Sequence, residues 1–425
     1  MKKGFLIVLM CVLIASFAFA SGAGEKKQTT ITVAVQSTPT MDYLVSIIPE
    51  FEEATGIKVI PDLMPYDNLV EKVTIDCTSN TKQYAAFWME PTWLGRFENE
   101  LEDITKYIND PVLGKDFNLE DFSADFLNQT VRYNGKLLGL PFEGCLLVMA
   151  YRVDLFEKYN IAVPKTYDEL LAAAKLIGEK EKDVYGITMM GKRGQPVFYE
   201  YMPYMYGFGA EFFDGKMNPT VNTADAVAAL DYMVQLSKYA PAGVTSFGWE
   251  EAATAFMQGN AAAGVLFTDW LPSLKSPDEC KVYDKWNFAV VPAGPKGQGS
   301  PVGTVNLGIN ADCDEETKKA AFQFINWATS SAMQKRLAVI GATPTRNSVL
   351  TDPEFRTDEY KYFQGISDTF AITRNPMSIP EFFELNEALS IELSAAIAGD
   401  KTSQKALDDA QAAWVKIMKE AGYIK

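Results

Sequence analysis

Histidine is absent from all 425 residues of the sequence. This absence excludes the Ser–His–Asp triad, the Cys–His pair and every zinc or iron site that needs an imidazole ligand. A catalytic site in this chain would have to depend on carboxylates, lysine or tyrosine. The routes to catalysis are thus restricted, and we expect a protein that is not an enzyme; no cofactor and no metal are expected either.

Positive charge and cysteine are also scarce. The chain has 39 Lys and Arg against 55 Asp and Glu, which gives a net charge of −16. So acidic a surface repels nucleic acid and anionic lipid, and we expect neither as a partner. After the first apolar segment, four cysteines remain, for which three disulfide connectivities are possible and no spacing selects one. Unpaired thiols are the default interpretation for Cys77, Cys145, Cys280 and Cys313.

Only one long apolar run occurs, and it lies at the N-terminus. Two lysines precede the apolar residues 4–19, and Ala18-Phe19-Ala20 has the small-x-small pattern of a signal-peptidase site. The run is shorter than the ~20 residues of a membrane-spanning helix, which makes an uncleaved anchor the weaker alternative. We predict a signal peptide over residues 1–20 and an exported, periplasmic product. Lipidation of Cys11 is not expected, because Met10 before it is not small.

The mature chain would hold 405 residues, 425 minus 20. Single hydrophobic cores stop growing at ~250–300 residues, so two domains are expected. Strand and helix signals alternate from Ile31–Val35 through an amphipathic segment ended by Gly56 to Ile57–Ile60. This order predicts an α/β fold with parallel strands. Ligands bind at the carboxyl edge of such sheets, where Ser37 lies.

The α/β alternation restarts after Pro141, so a second lobe is predicted to begin there. Before it, Asn134-Gly135 predicts a two-residue hairpin turn. After it, Thr166 is the expected N-cap of the next helix. The segment Val290–Gly303 is rich in proline and glycine, and we interpret it as a crossing between lobes.

Several segments in a fixed order resemble the extracellular solute-binding proteins of family 1, which serve ABC importers of carbohydrates. The resemblance is carried by Phe51–Val59, Val131–Leu137, Asp154–Leu170, Ala255–Gly259, Pro292–Pro295 and Gly341–Val349. It implies a two-lobed type II periplasmic-binding-protein fold of the maltose-binding-protein type, in which the chain crosses between lobes several times. The first lobe would take residues 31–140 and 300–340, and the second residues 141–299 and 341–425.

The resemblance also implies a function. A sugar or sugar alcohol would bind between the lobes and draw them together by hinge rotation, and the membrane subunits of an ABC importer would accept it. We expect a monomer.

Sugars present hydroxyl groups that suit carboxylates, amides and arginine, and apolar C–H faces that suit aromatic rings. Residues of these types at strand ends and lobe crossings, several of them at positions where the family contacts its ligand, form the predicted site. They are Ser37, Trp88, Glu90, Trp93, Phe142, Glu143, Arg193, Trp249, Asp269, Trp270, Thr304, Asn306, Thr343 and Arg346.

Three other interpretations stay open at this point. A binding protein could take a non-sugar solute. A secreted glycosidase could use paired carboxylates, Glu90 or Glu143 with Asp269, without histidine. A structural or adhesive surface protein is the third, although the chain has no repeats.

Overall fold

The structure, a computed structural model, describes residues 28–425. The signal peptide predicted for residues 1–20 lies outside the described residues. Within residues 28–425, none of the helices combines the length and the apolar character that crossing a membrane requires.

The described chain contains ten strands and sixteen α-helices, with short 3-10 turns between them. The strands are β1 Thr30–Gln36, β2 Lys58–Met64, β3 Ala86–Met89, β4 Arg132–Tyr133, β5 Lys136–Leu137, β6 Leu140–Arg152, β7 Ala263–Phe267, β8 Trp286–Ala289, β9 Ser300–Ile309 and β10 Thr373–Arg374. The first eight helices are α1 Pro39–Thr55, α2 Tyr66–Ser79, α3 Thr105–Ile108, α4 Ala124–Thr130, α5 Val153–Lys158, α6 Tyr167–Lys180, α7 Gln195–Gly207 and α8 Ala224–Ser237. The others are α9 Trp249–Met257, α10 Leu271–Lys275, α11 Glu315–Ala328, α12 Ser331–Ile340, α13 Asn347–Leu350, α14 Phe363–Phe370, α15 Phe382–Ala398 and α16 Ser403–Glu420.

The predicted strand–helix–strand unit at the start of the chain is confirmed. Helix α1 begins after Thr38, whose hydroxyl accepts a hydrogen bond from the amide of Met41 at 3.2 Å. It ends at Gly56, whose φ of 74° is the left-handed conformation that favours glycine at a helix C-terminus. Strands β1 and β2 then pair in parallel, as a crossover helix requires.

Two long strands connect the two halves of the molecule. The sheet order is β2-β1-β3-β9-β6-β7, with β8 on β6 and β10 on β9. The first half of β6 pairs with β9, and its second half pairs with β7 and β8. Almost every residue of both strands is buried, so their polar side chains lie in the interior.

The buried apolar side chains form two separate cores, one for each lobe. On β6, Phe142 belongs to the first core and Leu146 to the second. On β9, Val305 belongs to the first core and Val302 to the second. The chain therefore passes between the lobes within these two strands.

The proline- and glycine-rich segment Val290–Gly303 was expected to cross between the lobes, and only its last residues, which belong to β9, reach the crossing. Ala293 pairs with Thr166 at the start of α6, and Gly294 lies against Gly207 at the end of α7. Both helices belong to the second core. Residues 290–299 stay beside the second lobe, and the crossing is made by β9, which begins at Ser300 within the segment and changes core between Val302 and Val305.

A third connection follows α12. The helix ends at Gly341, which has a φ of 111°. Residues 343–346, named here the return segment, then lead to α13, and they hydrogen-bond to the first half of β6 through Pro141 and Gly144. The amide of Gly144 donates to the carbonyl of Thr343 at 2.9 Å, so the return segment is joined to β6 where β6 changes lobes.

Candidate functional site

A cavity between the lobes collects the ends of several elements. It contains about 680 Å³ of empty space, part of it open to solvent, which is within the ~300–1,000 Å³ range of small-molecule sites. The loop after β1, the end of β3, the middle of β9, the end of β7 and the start of α7 all reach it. The lining residues are Gln36, Ser37, Thr38, Pro39, Tyr66, Trp88, Glu90, Cys145, Gln195, Tyr199, Trp249, Phe267, Asp269, Trp270, Gly303, Thr304 and Val305.

Aromatic rings form much of both walls. On the first lobe, Tyr66 and Trp88 pack edge to face with ring centroids 5.8 Å apart. On the second lobe, Tyr199, Trp249 and Phe267 pack edge to face with one another at 5.2 to 5.8 Å. Such contacts fix the orientation of the rings, so the apolar surface they offer is rigid.

Gly303 permits one of these contacts. A Cβ atom at this position would lie 2.9 Å from the ring of Phe267. Only glycine therefore lets β9 pass this close to the ring. The aromatic wall of the second lobe and the crossing strand meet at this point.

Glu90 is the most extensively hydrogen-bonded carboxylate of the cavity. Its Oε1 accepts from the hydroxyl of Tyr66, from Trp93 Nε1 at 2.9 Å and from Gln195 Nε2 at 2.8 Å. Its Oε2 accepts from the hydroxyl of Tyr199 at 3.4 Å. Burial raises the pKa of Glu90, and these hydrogen bonds oppose the rise.

Asp269 and Glu143 lie in a different environment. Burial raises the pKa of Asp269 to about 6. Burial, and then the charge of Asp269, raise the pKa of Glu143 to about 8. Glu143 is 1% exposed, and its Oε1 accepts from the Thr40 hydroxyl at 3.1 Å. Asp269 Oδ1 and Glu143 Oε2 have no hydrogen-bond partner in the protein.

Further unpartnered polar atoms lie around the same cavity. Trp88 Nε1 and the hydroxyl of Thr304 are buried and make no hydrogen bond to the protein, and both residues line the cavity. Buried polar atoms without a partner are rare and costly, because each has lost its hydrogen bonds to water. Together with Asp269 Oδ1 they supply hydrogen-bonding capacity that a hydroxylated ligand would satisfy.

Cys145 contributes a free thiol to the cavity. It lies on β6 at the crossing between the lobes and is half-buried. Burial, and then the charges of Asp269 and Glu143, raise its pKa well above the ordinary value. The thiol is therefore protonated at neutral pH and a poor nucleophile.

Comparison with known proteins identifies the family. The sequence model of the bacterial extracellular solute-binding proteins matches residues 34–335, more than half of the chain. The chain belongs to this family. Its members bind solutes and are not enzymes, so the glycosidase interpretation is set aside. The hydrogen bonding of Glu90 agrees, because four protein donors surround the carboxylate that a glycosidase would use as acid or nucleophile.

The alignments with individual relatives extend over nearly the whole of this chain. A mannitol-binding protein of Pseudomonas aeruginosa is 26% identical, over 93% of this chain and 94% of its own. A protein of Sinorhizobium fredii, named as a probable amino-acid ABC transporter periplasmic-binding protein, is 24% identical over 90% of this chain and 88% of its own. The structure of an ABC transporter solute-binding protein of Agrobacterium radiobacter in complex with ribitol is 29% identical. It superposes with a TM-score of 0.85 over 92% of this chain and 98% of its own. The predicted two-lobed α/β fold is confirmed.

Seven of the fourteen predicted site residues line the cavity of the solute-binding protein. They are Ser37, Trp88, Glu90, Trp249, Asp269, Trp270 and Thr304. An eighth, Arg193, lies in the wider groove outside the cavity, where it is exposed and pairs with Glu387. Thr304 lies in the middle of β9, and the other seven lie at or next to strand ends and helix starts.

The other six predicted contact residues do not line the cavity in this structure. Trp93 is fully buried and donates its indole hydrogen to Glu90. Phe142 is part of the first core, and Glu143 lies beneath the wall against Thr40. Each of these side chains packs beneath the residues that line the cavity.

The remaining three lie near the lobe crossing. Asn306 donates to the carbonyl of Thr130 at 3.2 Å and is fully buried on β9. Thr343 packs against Gly144. Arg346 is buried and donates to the carbonyl of Thr329 at 2.5 Å, and its guanidinium lies 3.4 Å from Asp121. Arg346 is thus held by backbone carbonyls, whereas Asn306 Oδ1 and Thr343 Oγ1 are buried without a hydrogen-bond partner in the protein.

The sequence prediction missed several lining residues. Tyr66 directly follows the end of β2, so the strand-end rule could have found it. Gln195 and Tyr199 gave no such signal, because every residue of α7 is buried and the helix has no distinct polar face. Only the three-dimensional structure brings the start of α7 against the end of β3.

Proposed function

We propose that this protein is the substrate-binding component of an ABC importer and that it captures an uncharged sugar or sugar alcohol between its lobes. The observation that carries the proposal is the composition of the cavity. Rigid aromatic rings suit the C–H faces of a polyol, and Asp269 Oδ1, Trp88 Nε1 and Thr304 Oγ1 offer unpartnered polar atoms to its hydroxyls. The similarity to proteins named for mannitol, or solved with ribitol, supports the same class.

The charge of the cavity favours a neutral ligand over an amino acid. Among residues 28–425, the side chains that line it include two carboxylates and neither lysine nor arginine. The α-carboxylate of an amino acid would find no cationic partner there, and burying it unpaired is costly. This argument holds against the amino-acid name carried by one relative.

The direct solute contacts in this proposal are Ser37, Trp88, Trp249, Asp269, Trp270 and Thr304. The lobes would rotate about β6, β9 and the return segment. The sequence-based bounds are residues 31–140 and 300–340 for the first lobe and 141–299 and 341–425 for the second, and the two cores favour changes of lobe between Phe142 and Leu146 on β6 and between Val302 and Val305 on β9. Solute that contacts both walls favours the closed arrangement, because only that arrangement offers both sets of contacts. Export through a cleaved signal peptide, a periplasmic location, a monomeric state and docking to the importer's membrane subunits complete the proposal.

Thermal unfolding of the purified protein with a solute panel tests the ligand class. The panel contains ribitol, D-mannitol, maltose and L-glutamate. A solute present at ~100 times its dissociation constant adds ~2.7 kcal/mol to the free energy of unfolding. We expect at least one polyol or sugar to raise the melting temperature and glutamate to leave it unchanged. Stabilisation by the amino acid alone would overturn the proposal.

A further inference from the structure

Glu90 joins the two lobes through hydrogen bonds of its side chain. Tyr66 and Trp93, which donate to it, pack with the first core. Gln195 and Tyr199 lie on α7, whose apolar residues belong to the second core. The group formed by Glu90, Gln195 and Tyr199 is named here the interlobe bridge. Each of its three residues is 6% exposed or less.

The Oε1 atom of this carboxylate has no capacity left for a solute, and Oε2 is directed toward Tyr199. An ionised carboxylate has two oxygens and about four acceptor sites. Three protein donors converge on Oε1, and a fourth reaches Oε2. Asp269 differs, because its Oδ1 is buried without any partner at the same cavity. The two carboxylates that line the cavity are therefore suited to different tasks.

The chain after Glu90 also contacts the second lobe. Gly95 lies so close to the backbone of Ile379 that a Cβ atom would come within 2.6 Å of it. The guanidinium of Arg96 lies over the ring of Phe383, 5.0 Å from its centroid. Ser378 donates a hydrogen bond to the carbonyl of Pro91 at 2.8 Å. The interlobe bridge thus lies at the inner end of a continuous lobe-to-lobe contact.

We propose that Glu90 is a positioning residue: through Gln195 and Tyr199 it holds the lobes together before solute binds, and it does not act as a direct solute contact. The proposal rests on the hinge closure proposed above and not on the identity of the solute. A binding-competent arrangement that is already populated raises the apparent affinity, because the apparent dissociation constant is the intrinsic one divided by the competent fraction. Hydrogen bonds to a charged acceptor are among the stronger ones, so we expect the bridge to shift the closed-to-open ratio by about tenfold or more.

Small-angle X-ray scattering of the solute-free protein tests this role. Two variants break the bridge from opposite sides: Gln195→Ala with Tyr199→Phe removes the donors on the second lobe, and Glu90→Gln removes the charge and turns an N–H toward them. The control is Asp269→Asn, which alters a cavity carboxylate that takes no part in the bridge. Circular dichroism and thermal melts verify that each variant is folded. We expect a larger radius of gyration for both bridge variants and an unchanged one for the control.

Titration with ribitol and D-mannitol supplies the second measurement. We expect Asp269→Asn to weaken binding with unchanged solute-free scattering, and the bridge variants to weaken binding by the factor by which their closed fraction falls. Solute-free scattering equal to that of the wild type in both bridge variants would overturn the proposal, whatever happens to affinity. If the wild type binds neither polyol, the proposed ligand class fails, while the scattering comparison still decides the role of Glu90.

Discussion

Arg346 of the return segment and Asp269, which follows β7, are two polar residues at the lobe interface with opposite surroundings. In the return segment, Thr345 donates to the carbonyl of Pro141 at 3.0 Å, and Arg346 donates to two backbone carbonyls and approaches Asp121. After β7, Asp269 keeps an unpartnered oxygen at the cavity and Trp270 is half-exposed there. The comparison teaches that the partners of a polar group, and not its type or its place in the chain, separate a binding residue from a structural one.

The largest expected effect concerns Arg346. Replacing it by methionine removes the cationic partner of Asp121 and the donor to the carbonyl of Thr329, which costs about 3 kcal/mol of unfolding free energy, while Asp121 keeps its hydrogen bonds from Ser348. Urea denaturation measures the loss. Arg193→Met is the matched control, because its partner Glu387 is exposed, and we expect at most ~1 kcal/mol there. A variant Arg346→Met that keeps its stability and loses solute binding would contradict the structural role of Arg346.

Trp270→Ala is expected to act on binding. Aromatic residues at the centre of a site commonly contribute ~2 kcal/mol or more, which is roughly a thirtyfold rise in the dissociation constant for the polyol identified by the thermal panel. Isothermal titration calorimetry measures it. Trp286→Ala provides the contrast, since that indole is buried in the second core and donates to the carbonyl of Leu274. A stability loss equal in the two variants, with affinity retained in both, would refute a binding role for Trp270.

The free energy of unfolding is expected to depend on pH through Glu143. Its pKa is about 8 in the folded protein against an ordinary 4.5, so the folded state holds more protons than the unfolded state between these values. Stability contributed by the protonated form is therefore present at low pH and lost as pH rises toward 8, with a slope of at most ~1.4 kcal/mol per pH unit.

Urea denaturation of the wild type and Glu143→Gln between pH 5 and 9 measures this contribution. We expect the stability of the variant to fall less steeply over that range, because glutamine does not titrate. Asp269 remains in both proteins, so its own titration, with a pKa of about 6, largely cancels in the difference. Parallel curves for the two proteins would contradict the raised pKa of Glu143.

The smallest expected effect is chemical labelling of Cys145. Cys77, Cys280 and Cys313 are buried, whereas Cys145 is half-buried at the cavity. In native protein, iodoacetamide should label Cys145 first, slowly because its pKa is raised, and a saturating solute should slow the reaction further. Peptide mass spectrometry locates the label. Labelling of another cysteine first, or a rate unchanged by solute, would count against the position of this thiol in the solute cavity.

Local signals in the sequence predicted much of the fold. Asn134 and Gly135 form the expected hairpin turn between β4 and β5, both with positive φ. Thr166 caps α6 in a complete capping box with Glu169. In each case the residue's own backbone preference or side-chain reach determines the structure, so neighbours distant in sequence matter little.

Features that depend on distant contacts were harder to predict. Residues 185–189 include aromatic and β-branched side chains typical of a strand, but only isolated bridges form there, at Tyr185 and Thr188. Arg346 was predicted to contact solute, and its real partners, Asp121 and Asn118, lie more than 220 residues earlier in the chain. The local sequence does not indicate that Arg346, rather than Asp269, will hydrogen-bond to backbone carbonyls near the lobe crossing.

The crossing of β6 and β9 has a mechanical consequence. The two strands form a continuous ribbon in which Gly144 pairs with Thr304 and Cys145 with Gly303, next to a register shift between Pro141 and Glu143. A two-stranded ribbon of this kind can bend and twist elastically while its backbone hydrogen bonds stay intact. The proposed motion between the lobes would therefore bend this ribbon and would need no unfolding of a loop. Gly144, Gly303 and the bulge lie together in the middle of the ribbon and make that part the most easily bent.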